Sequence, residues 1–192
     1  MVKYPNAASG IKKMFLSRMV GIIGVVLAFI PAVGPLLTLT CAIAATIFNV
    51  WGILEASKDH NGYQTALVFT VADLIFTVVR TFISKGAVSS VLAFAGDVME
   101  IAVLYYICKT TGELLRDLKN YGLADKGDHV WNINKTCLII MAVCLVVAFI
   151  PILNILAALT SLIVAVVTIY AAVVYLIYLY QSGQYLSLNT NF

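Results

Sequence analysis

Two long stretches without any charged residue restrict the folds open to this chain more than any other feature. Residues 19–54 and residues 136–192 contain no Asp, Glu, Lys or Arg. Each stretch is long enough to cross the hydrocarbon core of a bilayer, which takes about 20 apolar residues in a helix. Of the 192 residues, 62% are hydrophobic and 11% are charged. A soluble domain of this size could not bury so much apolar surface. The sequence therefore predicts an integral membrane protein surrounded by the lipid bilayer.

Six membrane-spanning helices account best for the apolar segments. Residues 65–84 and 88–108 provide one span each, and each charge-free stretch provides two. Pro31 divides the first stretch and Pro151 divides the second, since a proline beside further turn-forming residues ends a helix. We expect one all-α transmembrane domain over residues 1–192, arranged as three tandem helical hairpins at about 14–58, 64–120 and 131–183.

The distribution of basic residues orients these spans. With six spans, ten of the twelve Lys and Arg residues fall on one side, and Arg80 and Lys85 fall toward the other. With a single span in the first stretch they would divide evenly. Cytoplasmic loops carry an excess of Lys and Arg, so we predict a multi-pass protein with both termini in the cytoplasm. Arg18 is expected to extend from the first helix toward the lipid head groups. The ten residues are Lys3, Lys12, Lys13, Arg18, Lys58, Lys109, Arg116, Lys119, Lys126 and Lys135.

The first and third hairpins share a pattern that indicates an internal repeat. Residues 25–43 and 145–163 are identical at nine of nineteen positions, including an Ala-Phe-Ile-Pro segment at each turn. Similar turn chemistry in unrelated hairpins is the alternative. A small polar residue before glycine near the end of each hairpin predicts that a helix stops there. These pairs are Asn61-Gly62, Thr111-Gly112 and Ser182-Gly183.

Four charged residues fall inside the predicted spans of the middle hairpin: Asp73, Arg80, Asp97 and Glu100. Antiparallel pairing of the two helices places Asp73 level with Glu100, and Arg80 about 6 Å above Asp97 at the helical rise. Ionisable groups buried in lipid often mark an ion or proton route. We hypothesise that Asp73 and Glu100 bind a proton or a cation, while Arg80 and Asp97 form an ion pair. The alternative is that Arg80 extends outward to the membrane surface, while protonation or hydrogen bonds neutralise the acids, which then only fix the register of the hairpin.

No other pattern indicates catalysis or a bound cofactor. The four cysteines lack the spacing of a metal site, and His60 and His129 lie in separate predicted loops. No Ser, His and Asp set is present, and a basic stripe that could hold nucleic acid is missing. We therefore predict a protein that is not an enzyme, that holds no cofactor or metal, and that binds no nucleic acid.

Two functions remain open. The leading hypothesis is a small transport or channel-type protein, or the membrane subunit of one, acting at Asp73 and Glu100. The alternative is a non-enzymatic scaffold or assembly factor that holds a partner through its helix faces and its cytoplasmic loop at 109–135. Small residues spaced by four, such as Gly24 and Ala28, leave both a protein partner and a homo-oligomer open. A water-lined cavity that reaches Glu100 would favour transport, and a dry, tightly packed acid cluster would favour the scaffold.

Overall fold

The computed structural model is entirely helical over the residues it describes, which are 3–31, 33–83, 87–147 and 154–188. No strand occurs within these ranges, so the predicted all-α fold with six helices is confirmed. Four helices contain a segment long and apolar enough to cross a membrane, as the predicted membrane protein requires: Gly34–Ala56, Gly62–Arg80, Val91–Asp117 and Leu159–Leu188. The six helices are α1 Pro5–Leu27, α2 Gly34–Ala56, α3 Gly62–Phe82, α4 Ala87–Asp117, α5 Tyr121–Val147 and α6 Asn154–Leu188.

The helices form a ring in which every helix packs against two neighbours. Around the ring the order is α2, α1, α6, α5, α4 and α3, and α2 closes the ring against α3. The contact between α2 and α3 is the least extensive of the six. Across the ring, α4 touches α6 only slightly. A ring of six helices can surround a cavity.

Tertiary packing is concentrated at one end of the ring, called here the closed end. The closed end comprises the start of α1, the turns at 57–61 and 118–120, and the last part of α6. Its fully buried side chains include Ile11, Tyr63 and Leu115. Toward the other end, Val26 and Leu36 are 63% and 67% exposed. Such apolar surface is stable only against lipid, so the closed end holds the bundle together while the rest faces the bilayer.

Two glycines allow α1 and α2 to approach each other at the closed end. A Cβ atom on Gly52 would lie 2.6 Å from the carbonyl oxygen of Gly10. A Cβ atom on Gly10 would lie 2.8 Å from that of Ala56. Further along, a Cβ atom on Gly24 would lie 2.8 Å from that of Cys41. Small residues therefore bring the two backbones together along most of their length, which is how membrane helices pack most closely.

The helices extend further at the closed end than the sequence analysis predicted. The first helix begins at Pro5 instead of near Met14. Gly112 lies inside α4 and Gly183 lies inside α6, so the predicted helix stops at these glycines are wrong. The physical reason is packing: Gly183 lies against Lys12 of α1, and the neighbours of Gly112 in α4 are buried in the core. Buried contacts outweigh the modest cost of a glycine in a helix.

The actual end of α4 is set by the backbone around Lys119. This residue has a φ of 61°, the left-handed conformation that usually favours glycine. The backbone N–H of Asn120 donates to the carbonyl of Leu115 at 2.8 Å, and that of Lys119 donates to Arg116 at 2.9 Å. This is the Schellman pattern of helix termination. The Asn120 side chain then accepts a hydrogen bond from the N–H of Leu123 and caps α5.

Some predictions concern residues outside the described ranges. The second Ala-Phe-Ile-Pro segment, at 148–151, lies outside them, and so does Lys85.

Candidate functional site

A cavity of about 810 Å³ lies between the helices, and all six contribute to its lining. Its wall is mainly apolar, but it carries four charged residues from three helices: Arg18, Asp73, Asp97 and Glu100. Uncharged polar residues line it as well: Ser17, Thr46, Asn49, Thr70, Asn134, Ser161, Thr168 and Tyr175. The charged and polar groups are therefore gathered on a cavity wall that is otherwise apolar.

The packing of α3 against α4 brings the three acids to this cavity. The hydroxyl oxygens of Tyr63 and Thr111 lie 2.7 Å apart, and the ring centroids of Phe69 and Tyr106 are 5.5 Å apart. These contacts show that the two helices run antiparallel.

Near the middle of this pair, the Asp73 carboxylate approaches the backbone of α4. A Cβ atom on Gly96 would lie 3.4 Å from Asp73 Oδ1. The Asp73 carboxylate therefore lies beside α4, close to the turn of helix that carries Asp97 and Glu100.

Arg18 is the cation that lines the cavity, although we expected it to extend toward the lipid head groups. Its Nη1 atom donates a hydrogen bond to Glu100 Oε1 at 2.9 Å. Its guanidinium carbon lies 5.6 Å from the ring centroid of Tyr175. About a third of the Arg18 side chain remains exposed, as does 55% of the Glu100 side chain. The expectation that Arg18 reaches the lipid head groups is therefore wrong.

The position of Arg18 follows from the helix that carries it. Because α1 begins at Pro5, residues 5–13 already form helix at the closed end, and Arg18 lies deeper in the bundle than expected. The adjacent Ser17 donates a hydrogen bond to the carbonyl of Ala45 at 2.6 Å, which ties this turn of α1 to α2. One signal could have indicated this contact. The middle hairpin carries more acids than bases inside its predicted spans, and Arg18 is a cation inside another predicted span.

Arg80, the fourth predicted site residue, is exposed and is not part of the cavity lining. It lies near enough to Asp97 for the two charges to attract each other. Within the described ranges, no hydrogen bond or ion pair engages the carboxylate of Asp73 or of Asp97. The cavity therefore holds one cation and three carboxylates, of which one is paired.

The remaining ion pairs lie at the closed end, away from the cavity. Lys13 pairs with Glu55, and Arg116 pairs with Asp128. Asp117 accepts a hydrogen bond from Tyr4 at 2.6 Å and pairs with Lys3. This contact with Asp117 raises the pKa of the exposed Lys3 ammonium. Lys3 and Lys13 join the N-terminal region to the ends of α4 and α2, and Arg116 joins α4 to α5, so these pairs stabilise the packing of the closed end.

In the part of the chain that the structure describes, no three His, Cys, Asp or Glu side chains converge as metal ligands do. The chain matches no protein-family model, and no curated protein or solved structure is significantly similar to it.

Proposed function

We propose that this chain is a small transport or channel-type membrane protein, or the membrane subunit of one, that binds a proton or a cation in its central cavity. The observation that carries the proposal is the charge of the cavity wall. Three carboxylates and one guanidinium line it, and only Glu100 is paired with Arg18. Charged groups inside a bilayer are costly and are retained mainly where they have a function.

The two carboxylates that form neither an ion pair nor a hydrogen bond in the described ranges are the binding groups in this proposal. Asp73 projects from α3 and Asp97 from α4, so they face the cavity from two helices. In a mainly apolar surrounding, two nearby negative charges repel each other and are poorly solvated. A bound proton or cation relieves both costs. Arg18 holds Glu100 in place and limits the total negative charge.

The proposal includes a multi-pass topology with six spans in three tandem hairpins. Helices α1 and α5, which carry charged residues in their first halves, are not among the four helices with a segment long and apolar enough to cross a membrane. However, α1 packs between α2 and α6, and α5 packs between α4 and α6. A helix held between two spanning helices crosses the bilayer with them. Charge bias supports cytoplasmic termini, because the basic residues are concentrated at the closed end.

The test is a flux assay in proteoliposomes with separate gradients of H⁺, Na⁺ and K⁺. The proposal predicts a flux of one of these ions that Asp73→Asn, Asp97→Asn and Glu100→Gln each reduce by about tenfold or more. Asparagine and glutamine keep the shape of the acids but cannot ionise. Asp125→Asn is the matched control, since Asp125 is an exposed acid at the closed end, and it should leave the flux unchanged.

The alternative is a scaffold that holds a partner at the closed end, where most of the charged surface and the tightest packing lie. Under that alternative, the wild type carries no ion flux, and the three cavity variants are harmless or stabilising. Flux that persists unchanged in all three variants would also overturn the proposed site.

A further inference from the structure

We infer that the cavity is built for an organic cation with an apolar body, such as a protonated amine, rather than for a bare inorganic ion. The inference rests on the proposed function and names the class of its ligand. Its basis is the combination of cavity size, a mainly apolar wall, unpaired carboxylates on one side and an unpaired hydroxyl elsewhere in the wall.

The volume of the cavity fits an organic ligand. A volume of about 810 Å³ lies within the range of pockets that bind drug-sized ligands, roughly 300–1,000 Å³. A dehydrated inorganic ion would occupy a small part of this space, and its ligands would need to converge on one point. Here the carboxylates are spread along a wall that is mainly apolar. An organic cation satisfies the carboxylates with its charge and covers the apolar wall with its body.

An aromatic ring lies next to one of the carboxylates. Phe94 and Asp97 are three residues apart on α4, so they share a face of the helix, and both line the cavity. A ring and a carboxylate on one surface form the usual site for an ammonium group, because the ring face attracts a cation and excludes water. Asp73 approaches the same stretch of α4 near Gly96.

A hydroxyl in the cavity wall gives further support. Tyr175 lines the cavity and is only 3% exposed. Its hydroxyl makes no hydrogen bond to another residue in the described ranges, although its ring lies beside Arg18. Because Tyr175 lines the cavity, this hydroxyl is available there to a water molecule or to a polar atom of the ligand.

The test uses two hydrophobic ions of the same shape and opposite charge, tetraphenylphosphonium and tetraphenylborate. Binding of each is measured by equilibrium dialysis against the protein in nanodiscs of phosphatidylcholine, with empty nanodiscs as the blank. Tetraphenylphosphonium should bind saturably, and tetraphenylborate should not. Asp73→Asn and Asp97→Asn should each weaken phosphonium binding by about tenfold, the effect of losing one close charge interaction. Phe94→Leu should weaken it severalfold, while Asp125→Asn should have no effect.

Three results would overturn the inference: no saturable phosphonium binding, equal binding of both ions, or phosphonium binding that the two aspartate variants leave unchanged. If phosphonium fails to bind while an Asp73-dependent flux of H⁺, Na⁺ or K⁺ persists, the ligand class is wrong and the proposed function stands. If both measurements fail, the proposed function fails with it.

Discussion

Single charged residues determine the character of the cavity. Sequence reasoning selected Asp73, Asp97 and Glu100, because acids inside an apolar span are conspicuous, and all three line one cavity. Whether they bind an ion stays a prediction. The partner of Glu100 was not predicted, since Arg18 belongs to a helix far away in the chain and its reach depends on where that helix begins. Tertiary placement of this kind leaves no periodic signal in the sequence.

The contact between Arg18 and Glu100 can be tested by a double-mutant cycle. Arg18→Gln should lower the free energy of unfolding by up to about 1 kcal/mol, because it removes the ion-pair partner of Glu100 while both side chains are partly exposed. Adding Glu100→Gln should recover most of this loss, since the uncompensated charge is then removed. Thermal denaturation of the detergent-solubilised protein measures both effects. Additive losses in the double variant would contradict the pairing.

Individual helices were predicted better in number than in extent. Six helices were expected from apolar length and turn signals, and six are present in the described ranges. The ends of α4 and α6 were predicted too early, because a glycine ends a helix only where no tertiary packing stabilises the next turn. Gly183 packs against Lys12, and that contact lies outside the reach of local sequence rules. The actual end of α4 was not predicted, because Lys119 occupies the left-handed position where glycine is expected.

The close approach of α1 and α2 gives a prediction for one element. Gly10→Ala should destabilise the protein by about 1–3 kcal/mol, because the added methyl group would meet the backbone of Gly52 and the side chain of Ala56. Gly21→Ala on the same helix is the matched control, since nothing lies within 4 Å of its Cβ position. The control should be neutral or stabilising by up to about 1 kcal/mol, as alanine favours helix. Thermal denaturation compares the two variants, and equal melting temperatures would contradict the close packing.

The molecule as a whole is asymmetric along the helix axes. One end holds nearly all the buried core and the ion pairs, and the other presents apolar side chains to lipid. The cavity lies between the helices, lined by polar and charged side chains. Composition predicted the membrane setting, but no property of the sequence alone indicates the volume of a cavity lined by six helices.

The orientation of the whole molecule can be measured by cysteine accessibility. Single cysteines are placed at positions 58, 85 and 126 of a cysteine-free protein, and intact cells or right-side-out vesicles are treated with a membrane-impermeant thiol reagent. Position 85 should react from outside, and positions 58 and 126 should be protected, because the closed end is expected in the cytoplasm. Reaction at 58 with protection at 85 would reverse the orientation or remove a span.

A water-accessible cavity of negative charge inside a membrane bundle can be detected by the reactivity of two neighbouring positions on α2. Asn49 lines the cavity, whereas Ile47 is 57% exposed on the surface that faces lipid. Each is replaced by cysteine in the cysteine-free protein, in nanodiscs of neutral lipid. The rates of reaction with a cationic and an anionic methanethiosulfonate are then measured relative to a free thiol in solution. We expect Asn49→Cys to react, and at least about tenfold faster with the cation than with the anion, while Ile47→Cys reacts slowly with both. No reaction at position 49, or equal rates with the two reagents there, would contradict it.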